Sequence, residues 1–279
     1  MKKILTTLLI LLIIIMSFLV YGRFIGTIGL NTKEYTIKNN SIDASYDNLK
    51  ILHFSDTHYK KVITNKRFKE LIEEINMLEP DIIVFTGDLL DKDYELNSKD
   101  TEFLIKQLSK LESKYGKYAI IGDNDYLKED EIKNIYIQSN FTLLNNRYTI
   151  IKNESNKSIL LAGTNNYINK QANINKITKN IKEENIEYKI LLIHEPDYIE
   201  KVLDNDYNFN LILAGHSLNG SINIPIIKNN LLEEKAKKYY KKYYKINNTD
   251  FYISNGIGVS NINFRLFNHP SINLYRIKK

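Results

Sequence analysis

Residues 211–220 read LILAGHSLNG. Apolar residues fill Leu211–Ala214 without a break, a glycine stops them, and His216 follows at once. A run that is apolar at every position, not at every second one, fits a strand covered on both faces. The glycine-flanked turn then presents one imidazole at the carboxyl end of that strand. The same construction recurs upstream. LKILHF (49–54) hands over to Ser-Asp56-Thr-His58, and DIIVFT (81–86) to Gly-Asp88-Leu-Leu-Asp91. YAII (118–121) leads to Gly-Asp123-Asn124-Asp125, and KILLI (189–193) to His194-Glu195; ILLAG (159–163) is a further apolar run. Between these runs lie helical patterns. Phe68, Leu71, Ile72, Ile75 and Leu78 keep i, i+3, i+4, i+7 spacing until Pro80. Phe103, Leu104, Leu108 and Leu111 suggest a second helix, and Pro196 opens a third in its first turn. The alternation is an α/β pattern, with a tail from Phe251 onward that reads as β-rich.

In open α/β sheets the carboxyl ends of the strands line the ligand crevice. An aspartate after one strand is most often a turn or helix cap, but here five runs end in carboxylates or imidazoles. The chain has five histidines, and His58, His194 and His216 all follow apolar runs closely. His53, inside a run, and His269, before Pro270, read as structural. Carboxylates mixed with neutral imidazoles suit Mn, Fe or Zn better than Ca or Mg. Two neighbouring cations bridged by a carboxylate would make a hydrolytic site for phosphate esters.

The first thirty residues are of another kind. Ile4–Val20 is uncharged and strongly apolar, and it follows Lys2 and Lys3. Its length lies at the short end of what crosses a bilayer as a helix. The small residues of a signal-peptidase site do not follow it, and the chain has no cysteine to lipidate. The segment therefore reads as an uncleaved single-pass anchor in the cell membrane, with Tyr21 and Arg23 at the interface and the domain exported. On this reading residues 1–32 are anchor and juxtamembrane segment, and 33–279 form one domain. The net charge of +6 is local: six lysines lie in KAKKYYKKYYK (235–245), and without them basic and acidic residues balance at 33 each. Lys interleaved with Tyr could bind nucleic acid, anionic lipid or wall polymer, but no nucleic-acid motif accompanies the segment, which reads rather as a solvated loop or strand edge.

The order of these motifs resembles the calcineurin-like metallophosphoesterases. Their pattern runs DxH, GDxxD, GNHD or GNHE, a lone His, then GHxH. The counterparts here are SDTH (55–58), GDLLD (87–91), GDND (122–125), IHEPD (193–197) and GHSLNG (215–220). HEPD, GHSLNGSINIP and SNGIGVSNINFRLF, in that order, further resemble the membrane-associated bacterial branch. The resemblance covers about residues 34–276. It implies a four-layer αββα sandwich with the site between the sheets and two divalent metals. It also implies that Asp56 and His58 bind the first metal, that Asp88 bridges, and that His194 and His216 bind the second. Three positions depart from the pattern. Asp123 replaces a metal-binding Asn, Asn124 replaces the catalytic His, and Leu218 replaces the last His, a ligand of the first metal. The first-metal site is weakened accordingly. An asparagine can hydrogen-bond a phosphate oxygen, but it cannot supply a proton to a leaving group. Two functions follow from this reading. One is hydrolysis of phosphate esters, on a phosphorylated small molecule or on a lipid- or wall-linked pyrophosphate. The other is a non-catalytic member that binds metal or a phosphorylated ligand.

Overall fold

The computed structural model describes residues 1–181, 186–205, 207–218, 220–222 and 232–279. Positions 219 and 223–225 of the GHSLNGSINIP stretch lie outside the described residues. Among the described residues the strands form two six-stranded sheets. The first has the order β1 (Asn31–Lys38), β12 (Ser271–Lys278), β2 (Leu49–Phe54), β3 (Ile82–Phe85), β4 (Lys117–Ala119), β5 (Phe141–Leu143). The second runs β10 (Tyr243–Ile246), β11 (Thr249–Ile253), β9 (Leu211–Ala214), β8 (Ile186–Ile193), β7 (Ser158–Gly163), β6 (Arg147–Lys152). Strands β2, β3 and β4 pair in parallel in one sheet, and β8 and β9 in the other.

The continuous apolar runs are explained by three separate cores. On β2, Leu52 and Phe54 face a helical layer while Leu49 and Ile51 face the other sheet. On β3, Ile83 and Phe85 take the first side, Ile82 and Val84 the second. β8 and β9 repeat this: Ile190, Leu192, Leu211 and Leu213 meet the first sheet, and Leu191, Ile193, Ile212 and Ala214 meet the outer helices. Side chains alternate across a strand, so two covered faces require an apolar residue at every position. Helices α2 (Asn65–Met77), α3 (Ser98–Leu108) and α4 (Glu129–Gln138) cover the first sheet. The short α5 (Ile174–Thr178) and α6 (Ile199–Leu203) cover the second. The result is the four-layer αββα sandwich.

Local signals set the helix ends. Thr64 caps α2 by accepting the Arg67 amide at 3.3 Å, and α2 buries Phe68, Leu71, Ile72 and Ile75. Pro196 opens a 3₁₀ turn, Pro196–Tyr198, that runs into α6. The tail from Phe251 is less β-rich than its pattern suggests. β11 ends at Ile253 and β12 begins at Ser271, with a long loop between them. The Lys/Tyr segment ends in β10, an edge strand of the second sheet. Its tyrosines lie against β11, Tyr243 on Tyr252 (4.7 Å between centroids) and Tyr244 on Phe251 (5.9 Å). That is the strand-edge reading of the segment.

Helix α1 (Lys2–Val20) continues through one π turn, Tyr21–Ile25, and is long and apolar enough to cross a membrane. None of the side chains of α1 is buried by the rest of the chain.

Candidate metal centre

The turns after β2, β3, β4, β8 and β9 meet between the two sheets. Gly122, after β4, passes so close to Asp88 that a Cβ there would lie 2.1 Å from Oδ1. A side chain at 122 would push the two loops apart. Asp56 (φ 52°), His58 (φ 40°), Asp88 (φ 61°), His216 (φ 62°) and Leu218 (φ 48°) all hold left-handed backbone. For residues other than glycine this conformation is uncommon and costs about 1–3 kcal/mol each, and such residues cluster where geometry serves function.

Two groups of potential ligands result. Asp88, Asp123, His194 and His216 offer atoms that all lie within 4.8 Å of one another, and so do Asp56, His58 and Asp88. Asp88 is common to both. Each imidazole of the larger group spends one nitrogen on a backbone carbonyl: His194 Nδ1 donates to Thr86 O (2.5 Å) and His216 Nε2 to Glu234 O (2.6 Å). The remaining nitrogens, His194 Nε2 and His216 Nδ1, both meet Asp123 Oδ1 at 3.0 Å. Metal-ligating histidines are oriented in this way, with the non-ligating N–H held by a carbonyl. In the smaller group His58 Nε2 lies 3.7 Å from Asp88 Oδ2, while the buried His58 Nδ1 has no partner among the described residues. Asp56 is anchored by the His216 amide (3.0 Å) and by the Ser55 hydroxyl.

Burial would lower the pKa of His216, but the Asp123 carboxylate lifts it to about 10. Burial acts the same way on His194, and Asp88 and Asp123 override it, holding its pKa well above the usual range. Burial pushes Asp123 up, yet the two imidazoles, His216 foremost, draw its pKa far below the ordinary carboxylate value. Burial raises Asp56, and the nearby Asp88 charge adds to it against the pull of His194. Crowded carboxylates thus keep positive charge on two imidazoles. An imidazole ligates a cation only in its neutral form, so cation uptake would release those protons. The donor set, the oriented rings and the unpartnered His58 nitrogen fit divalent cations.

A profile of the calcineurin-like phosphoesterase family matches residues 49–220, more than half of the chain. The chain belongs to this family. It is similar to the uncharacterized metallophosphoesterase YkuE of Bacillus subtilis, with 28% identity over 92% of this chain and 89% of that one. It is also similar to a bovine transmembrane protein with a metallophosphoesterase domain, with 26% identity over 82% of this chain and 52% of that one. Among solved structures, the Thermus thermophilus sulfate thiohydrolase SoxB shares the fold with a TM-score of 0.52. Identity there is 9%, and the match covers 84% of this chain and 57% of that one. The family is one of metal-dependent hydrolases, and among the relatives are proteins that span membranes.

The structure brings together all seven residues singled out from the sequence: Asp56, His58, Asp88, Asp123, Asn124, His194 and His216. The Asn124 side chain is turned onto Asp88 Oδ2 (2.5 Å), and its amide N–H meets Asp88 Oδ1 (3.0 Å). Leu218 is buried, and a Cβ on Gly256 would lie 2.2 Å from its Cδ2 and 3.0 Å from Asp56 Cβ. Position 218 therefore adjoins Asp56.

Several strand-end carboxylates to which the sequence assigns no role are positioning residues. The buried Asp125 accepts the amides of Asp88 (2.9 Å), Leu89 (2.9 Å), Leu90 (3.3 Å) and Gly122 (3.2 Å), clamping the two loops together. Burial and then the Asp88 charge push its pKa up to about 7. Glu195 accepts the Tyr167 and Ile168 amides (2.7 and 2.8 Å), and Asp197 those of Lys237, Lys238 and Tyr239. The HEPD stretch thus supplies one imidazole to the cluster and ties two loops to its rim. Its carboxylates carried that signal in sequence, but their partners are amides distant along the chain.

Proposed function

We propose that this chain hydrolyses phosphate esters with two divalent cations and that residues 1–32 hold the phosphoesterase domain, 33–279, to the outer side of the cell membrane. Asp56, His58 and Asp88 would hold the first cation, and Asp88, Asp123, His194 and His216 the second. The observation that carries the reading is the sharing of Asp88 by two ligand groups, in each of which the ligand atoms lie within 4.8 Å of one another. The imidazole–carboxylate donors favour Mn, Fe or Zn. Such cations supply Lewis acidity toward a phosphoryl oxygen and a hydroxide nucleophile at neutral pH. The chain's own groups do the rest. The Asp125 clamp fixes Asp88. Thr86 O and Glu234 O fix the imidazoles. The strained turns keep the donors aimed inward. Asn124 offers an amide to a phosphoryl oxygen once its side chain leaves Asp88, but it has no proton to give a departing alkoxide. General acid catalysis contributes typically about 10²–10⁴-fold. The substrates favoured are therefore those whose leaving group needs little protonation: aryl esters, or pyrophosphates such as those carried on membrane lipids.

A second reading draws on a specific observation. Asn124 turned onto Asp88, with Leu218 filling a ligand position, describes a site that binds a cation and a phosphate without turnover. Hydrolysis of an aryl phosphodiester by the full chain with Mn, with metal content measured in parallel, separates the two. Turnover that scales with bound Mn supports the enzyme. Two bound cations per chain and no turnover support the binding protein.

A further inference from the structure

The loop between β11 and β12 touches both the ligand cluster and the end of α1. On its inner side the Ile257 amide donates to Ser55 O (3.2 Å) and the Gly258 amide to Asp56 O (2.7 Å), while Asn268 Nδ2 donates to Leu218 O. This side walls the smaller ligand group. On its outer side the Arg265 amide donates to Gly22 O (2.9 Å), and Tyr21 OH lies 3.1 Å from His269 Nε2. The fit is too close for side chains: a Cβ on Gly22 would lie 2.3 Å from the Phe264 ring, and one on Gly26 2.0 Å from Arg265 O. The two sides are stapled together by the buried Arg265 guanidinium. It donates to Gly258 O (2.9 and 2.6 Å), Asn255 O (2.9 Å) and Asn268 O (3.3 Å).

The same loop exposes two large apolar side chains among polar neighbours, with Asn261 bonded to Lys92 and Glu233. Phe267 is 60% exposed and Ile262 56%, and Phe24, Ile25 and Ile28 of the juxtamembrane stretch are exposed as well. The Phe267 ring meets Phe18, inside the apolar helix, edge-on at 6.0 Å. Phe18 precedes the end of the helical span at Ile25 by about two turns, or roughly 10 Å at 1.5 Å per residue. If the helix lies in hydrocarbon, a ring packed at the level of Phe18 lies there too. Continuity with the anchor identifies what covers the patch.

We propose that the loop between β11 and β12 is seated in the lipid bilayer at Phe267 and Ile262, so that one wall of the ligand cluster is fixed at the membrane surface. The partner is lipid. The proposal rests on α1 spanning the membrane and not on turnover. Packing of Gly22 and Gly26 against Phe264 and Arg265 leaves little freedom for a swinging tether, so the cluster would sit at a set height above the bilayer.

The absence of cysteine from the chain makes the test clean. Single cysteines, Phe267→Cys, Ile262→Cys, Phe18→Cys and Ile137→Cys, are placed in the full chain and labelled with an environment-sensitive fluorophore. The proteins are reconstituted in phosphatidylcholine–phosphatidylglycerol vesicles with nitroxide-labelled lipids. The expected result is a blue shift and quenching at 18 and 267 by acyl-chain nitroxides and at 262 by headgroup-proximal ones. Ile137, on α4 beside the far edge of the first sheet, should show neither. Quenching at 18 with a water-like spectrum at 267 and 262 would overturn the proposal and leave the anchor standing. A 267–267 disulfide without lipid quenching would assign the patch to a second copy and overturn it too. Absence of quenching at 18 would remove the anchor, and the proposal with it. Each outcome is independent of whether the chain hydrolyses anything.

Discussion

At the scale of single residues, the proposed function turns on positions 124 and 218. Leu218→His would place an imidazole beside Asp56, and Asn124→His would place a proton donor next to Asp88. The double variant should hydrolyse alkyl phosphodiesters faster than the unaltered chain, by up to the ~10²–10⁴-fold that a general acid contributes, with a smaller gain on aryl esters. The triple variant with Asp123→Asn is the fair comparison, because Asp123 adds negative charge that blunts Lewis acidity. Steady-state rates on one ester of each kind check this. If the unaltered chain is already the faster, its substitutions suit a different substrate. His216→Ala should abolish tight binding at one of two Mn sites in a calorimetric titration and leave the fold intact, since its ring lies at a strand end. Affinity should fall by more than the ~10–100-fold that loss of an outer-shell partner costs. His53 has a different role. Burial lowers its pKa from 6.5 to about 3. Its ring stays neutral between Thr86 Oγ1 (2.8 Å) and Tyr275 OH (3.4 Å). The unfolded chain takes up a proton below about pH 6.5 that the folded chain refuses until about pH 3, so this residue's share of stability is lost as pH falls through that window. His53→Gln should flatten the fall in Tm between pH 7 and pH 4 relative to the unaltered chain.

At the scale of elements, the loops after β3 and β4 act as one unit through Asp125. Asp125→Asn leaves a single acceptor oxygen where two oxygens now receive four amides, and sets an NH₂ against N–H donors. An unsatisfied buried donor costs about 1–3 kcal/mol. The variant should fold with lowered Tm and bind both cations more weakly, because Asp88 belongs to both groups; equilibrium Mn binding on the folded variant measures this. Loss at one site alone would mean that the clamp does not position the shared ligand. The apolar runs of β2, β3, β8 and β9, and the residues that end them, were legible because period and residue type are local properties. Strand β1 (Asn31–Lys38) was not, since its residues are mostly exposed or half-buried and it carries no apolar run. Helix α4 buries Ile132, Ile135 and Tyr136 at helical spacing, a stripe too short to stand out between charged residues. The tail beyond Phe251 has a β-rich pattern, but Gly256, Gly258 and Pro270 keep residues 254–270 irregular. What this loop does depends on Arg265, whose burial is fixed by carbonyls from three other loop positions. The convergence of Asp56 with His216, 160 residues apart, is a property of the fold and is legible only through the family's motif order.

At the scale of the whole molecule, the residues that follow α1 pack directly on the sandwich, Gly22 against Phe264 and Gly26 against Arg265. In intact cells, added protease should reach the domain while α1 remains with the membrane, and alkaline carbonate should not extract the full chain. A domain protected in intact cells and cleaved only in inverted vesicles would reverse the proposed orientation. The first and last strands add a temporal consequence. β1 pairs in parallel with β12 from Asn31↔Ser271 to Lys38↔Lys278, and among the described residues β12 alone joins β1 to β2. During synthesis β1 therefore waits, its backbone donors and acceptors unpaired, until residues 271–278 have been made. Closure of the first sheet is a late event that spans almost the whole chain, and pairings of such long separation form slowly. If α1 spans the membrane as proposed, β1 is held at the bilayer while it waits, and nascent copies would meet at a shared surface with open strand edges. A chaperone that shields extended backbone at the membrane would find its client here.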